Sequence, residues 1–319
     1  MVRDGTRPTK HLMDTGMRNV TSTACALLAV VPSRRDEAPH RQWIRATWAR
    51  QPAASHAFAA AGCTLDVRFA LVEDASDLAD EGAPDLLVMP HPDGVHPPED
   101  ARTPHLSWRP GEWLTWQLAL MRRLLETSAR WNWYVRLDSD GLVCVSNLAA
   151  LLRQLTDAFL GTASTGFFGG DYHCHDPSSV RPDEAFVLFN RRAVERMVAL
   201  AAAQPPFWQQ TRPPINMARG LPLFAQRCKA TGARLTQLNL WEVVRVNPGR
   251  RPDLLRIYER SGAGACDHGA VYYHWPALKP ALYGGAERNN FTAPLYQPFS
   301  LGTLTYKLPW RPVCPAIPQ

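Results

Sequence analysis

The stretch WNWYVRLDSDGLVCV at residues 131–145 carries most of the fold prediction. Its aromatic and β-branched residues up to Leu137 predict a buried strand, which ends at Asp138-Ser139-Asp140 and resumes as a second short strand. Two carboxylates at the end of a buried strand are costly to desolvate unless a cation neutralises them. A divalent ion such as Mn²⁺ or Mg²⁺ is the natural partner, because both prefer oxygen ligands. The alternative is a turn in which the aspartates accept backbone N–H bonds.

On either side of this stretch, short apolar runs alternate with longer amphipathic segments, which is typical of an α/β fold. The predicted strands cover 24–31, 67–72, 85–90, 165–170, 184–190 and 234–238. The predicted helices run from a cap at Asp36 through Trp48, over 112–128, from a cap at Ser146 or Asn147 to about Leu160, and over 191–202 and 219–231. Beyond residue 241 the pattern becomes irregular.

Composition excludes several classes of protein. With 319 residues, 45% of them hydrophobic and 20% charged, the chain is neither a small disulfide knot nor wholly disordered. Its net charge is +6, but the basic residues stand singly or in pairs, so we expect no nucleic-acid partner. The best apolar run, 24–31, is far shorter than the roughly 18 residues of a membrane span. We therefore expect membrane attachment only through an anchor absent from this chain.

The seven cysteines are dispersed and include no CxxC pair. This excludes a zinc ribbon and a thioredoxin-type motif. Because the number is odd, at least one cysteine must stay unpaired within the chain.

Three segments resemble blocks of the β-1,3-galactosyltransferase and Fringe-like glycosyltransferase family. RQWIRATW at 41–48 is similar to R-x-x-I-R-x-T-W, and LTWQLALMRRLLE at 114–126 is similar to that family's L-T-x-K-T helix. YVRLDSDGLVCVSNLAALL at 134–152 follows Y-x-x-K-x-D-D-D-x-F-V-N-x-x-x-L-L, with Ser139 in place of one aspartate. Weaker similarity continues at 185–197 and 273–280, so order and spacing agree over most of residues 24–280.

The resemblance implies a GT-A-type nucleotide-diphospho-sugar transferase fold, in which a mixed, mostly parallel central sheet has flanking helices. It implies a catalytic domain over 23–300, after a flexible leader at 1–22 and before a tail at 301–319 that packs on the domain. The implied reaction is Mn²⁺-dependent (or Mg²⁺-dependent) transfer of a hexose from a UDP-sugar to a glycan hydroxyl. The donor would be UDP-galactose or UDP-N-acetylglucosamine, the linkage β-1,3 with inversion, and the place of work the Golgi lumen.

Carried over position by position, the resemblance also assigns site residues. Asp140 would bind the metal directly, Asp138 would act through water or on the sugar, and His274 would be a second metal ligand. Without the resemblance, a histidine such as His274 is more often a satisfied core residue.

The nucleotide pocket would be lined or braced by Arg41, Arg45, Thr47 and Trp48, with Asp138 and Ser139 beside them. The competing interpretations are a surface charge for Arg45 and simple core packing for Trp48.

One departure from the family concerns the base that deprotonates the acceptor hydroxyl. Leu221 and Pro222 stand where the family has an acidic pair, so another carboxylate must supply that role. The candidates are Asp183, Glu184 and Asp171, all near matching segments. Each could instead be an ordinary turn or surface acid.

Two other functions compete with the transferase. A chain that keeps the nucleotide pocket but lacks the base could serve only as a binding protein. Alternatively, LDSDG resembles the Asp-x-Asp-Gly-Thr loop of haloacid-dehalogenase-like phosphatases, although Leu142 stands where that loop has Thr and no Lys leads to the later acidic pair which that mechanism needs.

Overall fold

The computed structural model describes residues 25–71, 83–89, 112–127, 130–159, 165–173, 180–203, 217–233, 235–240, 243–246, 266 and 269–274. The predicted leader at 1–22 and tail at 301–319 lie outside the described residues. No helix in the described part of the chain is long and apolar enough to cross a membrane.

The main sheet has seven strands. They are β1 (Cys25–Ser33), β2 (Cys63–Leu71), β3 (Leu86–Val88), β4 (Trp133–Leu137), β6 (Gly166–His173), β7 (Arg181–Asn190) and β8 (Leu235–Asn239). Their order across the sheet is β3-β2-β1-β4-β7-β6-β8. The pairs β3·β2, β2·β1, β1·β4 and β6·β8 are parallel, whereas β7 runs antiparallel to both β4 and β6. The predicted α/β class with a mixed, mostly parallel sheet is confirmed.

Helices cover both faces of this sheet, as parallel strands require. One core contains α1 (Ala38–Ala46), α2 (Ala53–Ala60) and α4 (Val145–Phe159), and the other contains α3 (Glu112–Thr127), α5 (Arg191–Ala203) and α6 (Met217–Ala230). The spacing of Leu114, Leu118, Met121 and Leu125 at three and four residues predicts an amphipathic helix here. In α3 the first three are buried in the second core, and Leu125 packs against that core while partly buried.

A second sheet of three short strands stands beside the first. It contains β5 (Gly141–Val143), β10 (Tyr272–His274) and β9 (Val244–Val246). The strand β10 pairs antiparallel with β5, placing His274 opposite Gly141, and parallel with β9. Neither β9 nor β10 was predicted, because three-residue strands carry too little periodicity to distinguish from coil. The sequence also missed α2.

Two predicted helix caps are wrong. Residue 36 lies inside a 3-10 turn, Arg35–Glu37, and the turn is capped at Arg34, whose amide donates to the Glu37 carboxylate over 3.0 Å. Helix α4 begins at Val145, so Ser146 and Asn147 lie within its first turn. Asn147 instead donates from Nδ2 to the carbonyls of Cys266 and Ala270, both over 2.8 Å.

Two disulfides fix this arrangement. Cys25–Cys63 joins the first residues of β1 and β2, and Cys144–Cys266 ties the segment leading to β10 to the end of β5. Among the described cysteines, Cys228 is unpaired and buried. The second disulfide and the Asn147 bonds therefore anchor the chain just before His274.

Candidate metal centre

The site forms where β4 ends. The amide of Asp138 donates to the carbonyl of Ala185 on β7 over 3.0 Å, and the amide of Gly141 donates back to the carbonyl of Asp138 over 3.2 Å. This tight turn holds the Asp138 and Asp140 side chains together, and β10 brings His274 to the same place. One ligand atom from each of these three residues lies within 4.8 Å of the others.

His274 faces both carboxylates with one nitrogen. Its Nε2 lies 3.1 Å from Oδ1 of Asp140 and 3.4 Å from Oδ2 of Asp138. Burial alone would lower the pKa of His274, but the hydrogen bond to Asp140 and the charges of Asp138, Asp140 and Asp183 outweigh it. The pKa of His274 is therefore raised, which favours the protonated form as one counter-charge to the carboxylates when no metal is bound.

The other counter-charge is Arg136, on β4. Its Nη1 lies 2.5 Å from Oδ1 of Asp138, and the same nitrogen donates to the carbonyl of Glu184. The Arg136 side chain is only 5% exposed and that of Asp138 is 26% exposed, so the guanidinium is buried while the carboxylate is partly open to solvent. Burial opposes the guanidinium charge, yet Asp138 and Glu184 raise the pKa of Arg136.

The three side chains fit a divalent cation. Carboxylate oxygens bind both Mg²⁺ and Mn²⁺, whereas an imidazole nitrogen is a ligand typical of transition metals. Mn²⁺ is therefore an ion that two carboxylates and one imidazole can bind together. With Oδ1 of Asp138 engaged by Arg136, Oδ2 is the oxygen that faces His274. Asp140, Asp138 and His274 would thus hold the ion with one atom each.

Tyr272 closes the back of this site. It is fully buried, and its ring packs on Phe186 with centroids 5.2 Å apart. Burial, and then the charges of Asp138 and Asp140, raise the pKa of Tyr272 far above its ordinary value. A side chain at Gly141 would collide with the Tyr272 phenol, so glycine is required there.

Arg41, predicted at the nucleotide pocket, lies beside the end of β1. It is fully buried and donates from Nη1 to Oγ of Ser33 over 2.9 Å and to the carbonyl of Arg34. Because β1 and β4 are parallel neighbours, Ser33 and Asp138 lie at the same edge. Arg41 thus braces the loop after β1.

The other three predicted residues of that segment each contact the protein itself. Arg45 forms a two-pronged ion pair with Asp85, at 2.8 Å for both bonds, and its guanidinium lies 4.8 Å from the Phe69 ring centroid. The hydroxyl of Thr47 donates to the carbonyl of Trp43 over 2.7 Å, and Trp48 is buried in the core. Trp48 thus lies in the core, as its competing interpretation expected, and the role of Arg45 and Thr47 at a nucleotide pocket stays a prediction.

Ser139 is buried in the turn between the two aspartates. Its position beside Asp138 and Asp140 follows from the sequence, and the structure keeps it at the same edge of the sheet as Arg41.

The three candidate bases differ in their distance from the centre. Since Phe186 pairs with Leu137, the first residues of β7, including Asp183 and Glu184, lie beside the turn after β4. The charge of Asp183 acts on both His274 and Tyr272, and that of Glu184 acts on Arg136. Asp171 lies one strand further out, at a bulge in β6.

Leu221 and Pro222 stand at the positions of the family's acidic pair, and neither side chain carries a carboxylate. Leu221 is fully buried in the core, and Pro222 lies inside α6.

A second departure from the family is Gln117 on α3, which stands where the family has Lys. Gln117 is fully buried, and both of its side-chain amide atoms lack a hydrogen-bond partner among the described residues.

Sequence reasoning missed Arg136 and Tyr272 as members of the site. The one available signal for Arg136 was a charged residue in an otherwise apolar strand, two positions before Asp138. For Tyr272 the signal was its i, i+2 spacing from His274, which places both side chains on one side of a strand.

No family model matches the chain, and no curated protein matches it. Solved structures of other proteins are similar to it, and three of them serve as examples. They are a glycosyltransferase involved in glycosylation of the major capsid of PBCV-1 (8% identity, 81% of this chain and 96% of that one, TM-score 0.41), the galactosyltransferase LgtC in complex with donor and acceptor sugar analogs (14%, 84% and 95%, 0.42) and mouse xyloside xylosyltransferase 1 (13%, 80% and 99%, 0.40). Such low TM-scores leave the function of this chain to be inferred from the geometry of its metal centre.

Proposed function

We propose that this chain is a metal-dependent glycosyltransferase of the GT-A type, which moves a hexose from a UDP-sugar to a glycan hydroxyl. The observation that carries the proposal is the convergence of Asp138, Asp140 and His274 at the end of β4, with one ligand atom of each within 4.8 Å of the others. In mixed and parallel sheets, the carboxyl ends of the strands are where nucleotides bind.

Each residue of the centre has its own task. Asp140 and His274 hold Mn²⁺, and Asp138 contributes the oxygen that Arg136 does not engage. When bound, the ion supplies the positive charge that stabilises the departing nucleotide diphosphate. Arg41 keeps the loop after β1 in place beside the nucleotide.

Asp183 is the carboxylate best placed to accept the proton of the acceptor hydroxyl. It lies at the start of β7 beside the turn that holds Asp138, and its charge reaches His274 and Tyr272. One of its oxygens, Oδ1, accepts the amide of Ala185 over 2.9 Å, which orients the carboxylate. Glu184 and Asp171 rank after it.

The finer assignments come from the resemblance. They are UDP-galactose or UDP-N-acetylglucosamine as donor, a β-1,3 linkage with inversion, and action in the Golgi lumen. The two disulfides support an oxidising compartment, since disulfides persist in secretory lumens and are rare in the cytosol.

The test is release of UDP from a panel of UDP-sugars by the purified chain with Mn²⁺, with and without glycan acceptors. We expect turnover with at least one donor, loss of turnover in EDTA, and loss in Asp140→Asn. Background turnover across the panel would overturn the transferase proposal.

The buried Leu221 and the helical Pro222 favour one second candidate, a nucleotide-binding protein without transferase activity. It predicts that UDP binds with Mn²⁺ while turnover stays at background. Release of phosphate from simple esters, without any nucleotide sugar, would instead support the phosphatase.

A further inference from the structure

The hydroxyl of Tyr272 is a buried polar group to which none of the described residues forms a hydrogen bond. Tyr272 is 0% exposed, and no atom among the described residues bonds its hydroxyl. Buried hydroxyls in native proteins nearly always have a partner, either in the protein or in ordered water. An orphan of this kind therefore requires a physical explanation.

The position of this hydroxyl is specific. Tyr272 and His274 are two residues apart on β10, so their side chains share one side of the strand. The phenol lies against Gly141, the residue that follows Asp140, and glycine there leaves room for it. The charges of both Asp138 and Asp140 act on the phenol, although neither carboxylate accepts its proton in a hydrogen bond.

Three protein ligands do not fill the coordination of Mn²⁺ or Mg²⁺. Such ions keep several water molecules, and these waters need acceptors and donors around them. Residues that bond to ligands from outside the inner shell influence metal affinity strongly. A neutral hydroxyl beside two carboxylates, without a partner among the described residues, meets that need.

We propose that the Tyr272 hydroxyl belongs to the outer shell of the metal centre and hydrogen-bonds a water molecule held by the bound ion. This inference rests on the proposed metal dependence. It adds a fourth residue to the site, acting through water and not as a direct ligand, and it makes Gly141 part of the same site, because no larger residue admits the phenol.

The chain offers a matched control in Tyr134, on β4. Tyr134 is also fully buried, and among the described residues its hydroxyl also lacks a hydrogen-bond partner. Its ring packs in the other core, 5.8 Å from that of Phe189. The substitutions Tyr272→Phe and Tyr134→Phe therefore remove the same group from equally buried positions. The charges of Asp138 and Asp140 act on the Tyr272 phenol, whereas the charge of Arg136, which is not a metal ligand, acts on the Tyr134 phenol.

The experiment measures Mn²⁺ affinity of each purified variant by titration, following free Mn²⁺ by electron paramagnetic resonance, with urea unfolding of the metal-free proteins beside it. We expect Tyr272→Phe to weaken Mn²⁺ binding by roughly 10- to 100-fold, and Tyr134→Phe to leave it unchanged. Neither should destabilise the metal-free fold, because each loses only an unbonded hydroxyl.

The outcomes separate the two proposals. If the unmodified chain binds Mn²⁺ and Tyr272→Phe binds it equally well, or if Tyr134→Phe weakens binding by as much, the outer-shell role is wrong while the metal centre stands. If the unmodified chain does not bind Mn²⁺, the metal dependence fails first and the role of Tyr272 fails with it.

Discussion

The guanidinium of Arg136 lies 2.5 Å from one carboxylate oxygen of Asp138, and this pair is the electrostatic support of the whole site. Without it, Asp138 and Asp140 would stand side by side at the end of a buried strand with only His274 between them. The pair explains how two adjacent carboxylates are tolerated in the metal-free protein. It also leaves Asp138 with one oxygen directed at the ion.

Replacing Arg136 with methionine should destabilise the metal-free protein by roughly 1–3 kcal/mol, because the partly buried Asp138 carboxylate loses its nearest cation and keeps only His274. Saturating Mn²⁺ should restore more stability to Arg136→Met than it adds to the unmodified protein, since the ion replaces the missing positive charge. Urea unfolding with and without Mn²⁺ measures both effects. An equal gain in the two proteins would contradict this role of the pair.

Asp140→Asn should lower Mn²⁺ affinity by at least about tenfold, because the amide oxygen carries no net charge for the ion. Its control is Asp157→Asn, an exposed carboxylate on α4 that is paired with Arg153 at the surface. Isothermal titration with Mn²⁺ should show the loss in Asp140→Asn alone. Equal affinities in the two variants would exclude Asp140 as a ligand.

The two disulfides allow a test of how His274 is positioned. Removing Cys144–Cys266 with a double serine variant should weaken Mn²⁺ binding, because that disulfide anchors the segment leading to β10. Removing Cys25–Cys63 should not, since it joins β1 and β2 at their first residues, at the edge of the sheet away from the metal centre. Loss of either should lower the free energy of unfolding by roughly 2–5 kcal/mol. Mn²⁺ titration of both variants measures the difference. Equal metal affinities in the two variants would show that Cys144–Cys266 does not position His274.

The metal-free protein should lose stability as pH rises, in a manner that depends on His274. The pKa of His274 in the folded protein is raised above the ordinary 6.5. The stabilisation that protonated His274 gives the folded protein is therefore complete below pH 6.5, and it disappears as the pH rises through the pKa of the folded state. The difference in unfolding free energy between the unmodified protein and His274→Gln should therefore shrink over that window. Urea unfolding in EDTA across the pH range measures it, and a difference that grows with pH would refute the assigned sign.

Asp183→Asn should reduce transfer to the acceptor by far more than it changes Mn²⁺ or UDP affinity, because Asp183 acts on His274 only through its charge. A general base typically contributes roughly 10²- to 10⁴-fold to the rate. Glu184→Gln, one residue further along β7, is the matched control. A comparable loss of turnover in Glu184→Gln, or none in Asp183→Asn, would move the base elsewhere. Turnover and binding must be measured on the same preparations.

Local pattern was enough to predict most of the main sheet and its helices. The strand at β4 and the stripe of α3 follow from apolar spacing, and both appear within a few residues of the predicted bounds. The predicted caps at residue 36 and at Ser146 or Asn147 were wrong. A cap forms where backbone N–H groups of the first helical turn lack partners, and where that turn begins depends on the surrounding structure. Asn147 shows this, since its amide bonds a segment that is remote in sequence.

The sequence by itself determined that two carboxylates end a buried strand, because a run of apolar residues followed by Asp138-Ser139-Asp140 is a local feature. Only the tertiary structure decided what meets them. It brought His274 across on β10, turned Arg136 to one oxygen of Asp138, and left the hydroxyl of Tyr272 beside the pair with no hydrogen bond to any described residue. The physical reason is that charge pairing and burial depend on distances through space, which long-range strand pairing and a disulfide set and which no local spacing encodes.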